Sequence, residues 1–154
     1  MVAYNPNNNY TRNNQPRQQE AEIHKFDVSK LNADNYVDKA EEIIKAHKDA
    51  MDRDSISTSQ IRNLLDLLNG LRERLRTERV TKLTEDMKGQ VQYIKLRFVY
   101  AAGRDKDSKG VRDFIQRSGM IACLDTVKDS VKQYELVCKY MEALVAYHKY
   151  YINK

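Results

Sequence analysis

An all-α fold is predicted, a compact bundle of about five to six helices behind a disordered N-terminal arm, and three observations predict it. The 154 residues include only five Gly and two Pro, too few turn residues for a β-rich fold. Apolar side chains recur at steps of three and four over several long stretches, the period of a helix with one buried face. Two S-x-x-Q sequences stand directly before such stretches, the signature of a capping box, in which side chain and backbone close an open helix N-terminus reciprocally. A chain of this length buries roughly two-thirds of its unfolded surface as one domain, with no room for a second.

Residues 1–31 form the arm. Asn5, Asn7, Asn8, Asn9, Asn13 and Asn14 precede Gln15, Gln18 and Gln19, and such a segment buries too little apolar surface to offset its ordering entropy. The helical domain spans 32–154. Its first helix is expected from Asn32 or Asp34 to about Met51, with Val37, Ala40, Ile43, Ile44 and His47 in register and an acidic outer face. The second follows Ser57-x-x-Gln60, with Ile61, Leu64, Leu65, Leu68, Leu71 and Leu75 as its core row. The third runs from about Thr84 to Ala102 and stops at Gly103, its core row being Met87, Val91, Ile94, Phe98 and Ala101.

A charged turn, Asp105 to Gly110, leads to a fourth helix presenting Val111, Phe114 and Ile115 before Gly119. A short fifth groups Met120, Ile121, Leu124 and Val127. The last begins at Ser130-x-x-Gln133 and carries Tyr134, Val137, Met141, Leu144, Val145, His148 and Tyr151 on one side. A second apolar arc, Leu136, Tyr140, Ala143 and Tyr147, leaves only a narrow polar strip, so this helix is expected to be central or used in assembly.

Little in the chain is suited to catalysis. The histidines are His24, His47 and His148, and no pair has the spacing of a helical metal site, so neither metal nor cofactor is expected. His148 falls inside the apolar face, where a satisfied core histidine is the expectation, and Glu142 sits about 120° round the helix from it. The glycines are scattered and form no phosphate-cradling loop. Cys123 and Cys138 read as buried free thiols. The first residues lack a charged segment followed by an apolar run, and no stretch approaches the roughly 18 apolar residues of a membrane span, so a soluble, cytoplasmic protein is expected.

Charge distribution carries the positive signal. The formal net charge is +5; residues 32–54 hold four Lys/Arg against seven Asp/Glu, and residues 70–117 hold thirteen against seven. Within the basic centre, Tyr93, Arg97, Tyr100 and Arg104 recur at steps of four, three and four. About 100° of rotation per residue places them in a stripe about 60° wide, roughly a quarter-turn from the core row. Arginine forks onto phosphate oxygens while tyrosine donates or stacks, the combination of an RNA-tracking surface. The alternative is that the tyrosines pack at a core edge and the arginines snorkel to water or carboxylates. Arg72, Arg74, Arg76 and Arg79, beside Glu73 and Glu78, read as an exposed salt-linked face, and Lys106, Lys109, Arg112 and Arg117 extend the basic region.

Three blocks, TSQIRNLLDLLNGL (58–71), YIKLRFVYAAGRD (93–105) and YMEALVAYHKYY (140–151), together resemble the small subunit of type III-A CRISPR effector complexes, the Csm complexes. The resemblance implies a helical fold without catalytic activity and several copies stacked along the guide RNA/target RNA duplex. The implied partners are that duplex, other copies of the chain, and the backbone and large subunits of the complex. Because base pairing then reads the sequence, the subunit needs only shape and backbone contacts. By matched block, Gln60, Arg62, Lys95, Arg97, Arg104 and Lys149 are expected RNA-backbone contacts, with Tyr100 positioning Arg104. A structural adaptor that binds protein subunits with little RNA contact is the alternative.

Overall fold

The computed structural model describes residues 26–104 and 109–154. The arm through residue 25, with His24, and Lys106 of the charged turn lie outside the described residues. Among the described residues six α-helices make the bundle: α1 (Tyr36–Met51), α2 (Thr58–Glu78), α3 (Glu85–Arg104), α4 (Lys109–Ser118), α5 (Met120–Asp125) and α6 (Val131–Tyr151). The all-α expectation holds. α6 packs against α1, α2 and α5, while α3 packs on α2, α4 and α5. The helix with two apolar arcs is therefore central, and Tyr140 of its second arc is fully buried.

The core rows match the periodicity. Ile61, Leu64, Leu68, Leu71 and Leu75 of α2, Met87, Val91, Ile94 and Phe98 of α3, and Tyr134, Val137, Met141 and Leu144 of α6 are all buried. Buried tyrosines find partners for their hydroxyls: Tyr134 donates to the Leu68 carbonyl at 2.6 Å and Tyr140 to that of Ser118 at 2.8 Å. Cys123 and Cys138 are buried free thiols whose pKa burial pushes up to about 12.

Ser57 closes α2 with a complete capping box: its hydroxyl accepts from Gln60 N–H at 3.2 Å, and Gln60 Oε1 accepts from Ser57 N–H at 3.0 Å. At α6 only half of the expected box forms. Ser130 Oγ accepts from Gln133 N–H at 3.1 Å, but the Gln133 amide donates to Thr126 Oγ1 at 3.0 Å.

Other differences have local causes. Packed structure starts before Asn32, because Leu31 is buried, Phe26 lies 6.4 Å from the Tyr140 ring, and Val28 abuts Gly119. Asn32 does not start a helix; its side chain accepts from Asp34 and Asn35 N–H in a turn that precedes α1. Val37 is 41% exposed rather than in the core. Gly103 does not stop α3, which continues through Arg104. Gly110 belongs to α4, and a Cβ there would meet the Asp54 carbonyl oxygen at 2.1 Å, so glycine permits close approach of α4 to the α1–α2 corner.

Candidate nucleic-acid interface

The two histidines of the described residues are structural. Ile56 N–H donates to His47 Nε2 at 3.0 Å, which leaves the His47 proton on Nδ1 to donate to Asp113 Oδ2 at 2.6 Å. His148 Nε2–H donates to the Ile56 carbonyl at 2.6 Å. The Ile56 peptide is thus held by one histidine at each end, and both rings are buried. Burial lowers the His148 pKa below its ordinary value, so the ring sits neutral in place. Arg117 completes the network with two hydrogen bonds to Asp113. This buried carboxylate on α4 had no periodic signal, and it removes Arg117 from the free basic surface.

Arg72 also departs from the expected exposed face. It is buried between α2 and α6 with Nη2 2.6 Å from Glu135 Oε1, and Nη1 bonds Glu142. The Glu135 carboxylate raises the guanidinium pKa further, against the opposing effect of burial, so the charge is permanent. Arg74 and Arg76 do form the exposed salt-linked face, pairing with Glu78 and Asp86 and with Glu73.

The Tyr93 to Arg104 stripe is accessible. Tyr93 and Tyr100 are 59% and 60% exposed, which removes the core-edge alternative for both rings. Arg97 and Arg104 are exposed as well, and among the described residues neither has a carboxylate within ion-pair distance. Arg97 and Arg104 stand about 10.5 Å apart along the axis, with Tyr100 one turn from each.

Across from the stripe, the exposed flank of α2 completes a groove of about 250 Å³ lined by Gln60, Asn63, Leu64, Leu67, Arg97, Tyr100, Ala101, Arg104 and Val111. Among the described residues no carboxylate lines it. Gln60 Oε1 is occupied by the capping box, so the side chain offers only its amide N–H groups. Arg97, Arg104, Tyr100 and Gln60 therefore present donors to one space, a composition suited to anionic oxygens. Asn63 and Leu67 escaped the sequence reading although they lie three and seven residues past Gln60, on the same side of α2.

The remaining expected contacts lie elsewhere. Lys95 sits about 160° round α3 from Arg97 and its Nζ is 2.6 Å from Asp125 on α5. Arg62 is about 160° round α2 from Gln60. It continues the seven-residue row of Asn69 and Arg76, as Lys149 continues that of Glu135 and Glu142 on α6. Arg76 lies 3.8 Å from Glu135, and Thr58 N–H donates to the Lys154 carbonyl at 2.6 Å, so these antiparallel rows carry Arg62 and Lys149 to one end of the α2–α6 seam. Among the described residues no helix is long and apolar enough to cross a membrane.

Comparison with known proteins agrees with this architecture. The chain is 39% identical over 125 residues to the CRISPR system Cms protein Csm2 of Streptococcus thermophilus, covering 80% of this chain and 97% of that protein. The protein of the same name from Enterococcus italicus is 36% identical, with 76% and 87% covered, and that from Mycobacterium tuberculosis is 33% identical, with 76% and 91% covered. The family described as Csm2 Type III-A matches residues 30–154, so the chain belongs to the Csm2 family, the small subunit of type III-A CRISPR complexes.

Proposed function

We propose that this subunit is non-catalytic, that it lies in several copies along the guide RNA/target RNA duplex, and that it holds the target backbone without reading sequence. The observation that carries the reading is the α2–α3 groove, which Gln60, Arg97, Tyr100 and Arg104 line as donors and, among the described residues, no carboxylate lines. Phosphate oxygens are the ligands such a donor set fits, and backbone contacts position without specifying. Arg62 and Lys149 supply a second basic point on the α2–α6 seam. Lys95, engaged by Asp125, receives no place on the groove. Both described histidines are committed to the Ile56 backbone, which supports a non-enzymatic role. The other subunits of the complex are the protein partners, and the cytoplasm is the expected location.

A structural adaptor with little RNA contact is favoured by one feature, the exposed Leu96 and Val99 on the outermost face of α3. Ultraviolet crosslinking in the assembled complex separates the two. Target RNA joined to α3 supports the RNA reading; protein crosslinks alone from α3 favour the adaptor.

A further inference from the structure

A larger groove of about 810 Å³ lies on the other side of the molecule, between the C-terminal half of α2, the turn before α1 and the N-terminal half of α6. Its floor is mostly aliphatic, with Leu31 and Leu75 buried and Val80, Val131 and Leu136 half-buried, and Tyr36 adds one half-buried ring. Among the described residues four cationic side chains, Arg72, Arg76, Lys132 and Lys139, line it against one carboxylate, Glu135. That carboxylate is already neutralised by Arg72 at 2.6 Å, with Arg76 at 3.8 Å. On α6, Lys132 and Lys139 stand on either side of Leu136 at steps of four and three, within a stripe about 60° wide and about 10.5 Å long. Both lysines are exposed.

We infer that this groove docks an acidic amphipathic helix from another protein subunit of the complex. Five aliphatic side chains and a single half-buried ring form no run of stacking faces for bases, whereas such a floor buries the apolar face of a helix. The spacing of the lysines sets the register: acidic side chains at i and i+7 flank an apolar one at i+3 or i+4, which enters beside Leu136. A volume within the roughly 300–1,000 Å³ of ordinary binding pockets accommodates such anchoring side chains. The inference rests on family membership and is independent of the RNA contacts proposed for the α2–α3 groove.

The test places a photocrosslinker at the groove rim, Thr81→p-benzoylphenylalanine, in the assembled effector complex. Irradiation is expected to join it to an acidic, leucine-rich helix of another subunit, with the adduct falling at least about tenfold in the Lys132→Glu/Lys139→Glu chain, whose exposed substitutions leave the fold within about 0.5 kcal/mol. Loss of the charge-reversed chain from the complex while its melting temperature is unchanged also supports the dock. An adduct to RNA, to a second copy, to residues 1–25 of the same chain, or none, overturns it, as does an adduct indifferent to charge reversal. Arg97→Ala/Arg104→Ala is expected to leave the adduct intact, so failure here and failure of the RNA reading are distinguishable.

Discussion

His47 and Asp113 stand 66 positions apart and share a 2.6 Å hydrogen bond sealed inside the core. It joins α1 to α4 and fixes the tautomer with which His47 receives the Ile56 N–H. His47→Ala strands the buried Ile56 N–H, at about 1–3 kcal/mol, leaves Asp113 with only its bonds from Arg117, and opens a cavity where the ring packed. Urea unfolding is expected to show a loss of about 3 kcal/mol. Asp113→Asn, which still accepts from Nδ1–H but loses the charge facing Arg117, is expected to cost about half as much.

Acid is expected to weaken the fold in two steps. Burial holds the folded His148 pKa below its ordinary 6.5, so the unfolded chain takes up that proton first. The stability His148 contributes is complete above 6.5 and is lost as pH falls from there toward the folded value. Burial raises the Asp113 pKa, but hydrogen bonds from His47 and Arg117 outweigh it and leave the net value below 3.8. Its contribution is complete above 3.8 and is lost as pH falls through the folded value. Urea midpoints measured across this range are expected to drop first below 6.5, and His148→Gln is expected to remove that first step.

Arg72 is a structural arginine, unlike those proposed to face RNA. Arg72→Ala removes the link from α2 to Glu135 and Glu142 of α6, but both carboxylates are partly exposed and regain water. The expected cost is therefore about 2 kcal/mol, below that of orphaning a fully buried charge. RNA affinity, measured well below the melting temperature, is expected to stay within about twofold, a difference of only ~0.4 kcal/mol.

What the sequence made legible follows from what periodicity records. Rows such as Ile61, Leu64, Leu68 and Leu71 announce the buried face of their own helix, and every one is buried. Arg97, Tyr100 and Arg104 were legible for the same reason, since one helix carries them. Partners from a second helix leave no such trace. Arg72 reads like Arg74 and Arg76 until α6 places Glu135 beside it, and Lys95 reads like Arg97 until α5 supplies Asp125. Asp113, a polar residue between Val111 and Phe114, gained its role only when His47 arrived from α1.

Glycine substitutions are expected to have opposite signs at different sites. At Gly110 an added Cβ would sit 2.1 Å from the Asp54 carbonyl oxygen and 2.8 Å from Ile56 N, both backbone atoms that cannot swing away. Gly110→Ala is expected to lower stability by about 2–3 kcal/mol as overpacking forces α4 off the α1–α2 corner. Gly70 and Gly89 lie inside helices and Gly103 in the last turn of α3, and among the described residues nothing is near the added atom. Each →Ala change there is expected to add about 0.5–1 kcal/mol by restricting the unfolded chain and favouring the helix. Thermal melting of the four variants checks both signs.

The salt dependence of RNA binding tests the α2–α3 groove against the other basic positions. Each phosphate contact contributes about −0.7 to the slope of log affinity against log salt for single strands. Arg97→Ala and Arg104→Ala are each expected to flatten the slope by about 0.7, since both line the groove. Lys95→Ala is expected to leave the slope unchanged, because its ammonium is engaged by Asp125 on the opposite flank of α3. Tyr100→Phe keeps the ring and deletes the hydroxyl, so it is expected to lower affinity by roughly the worth of one hydrogen bond, about 1 kcal/mol, with the slope unaltered. A slope that answers to Lys95 and ignores Arg97 would move the RNA from this groove to the α3–α5 flank.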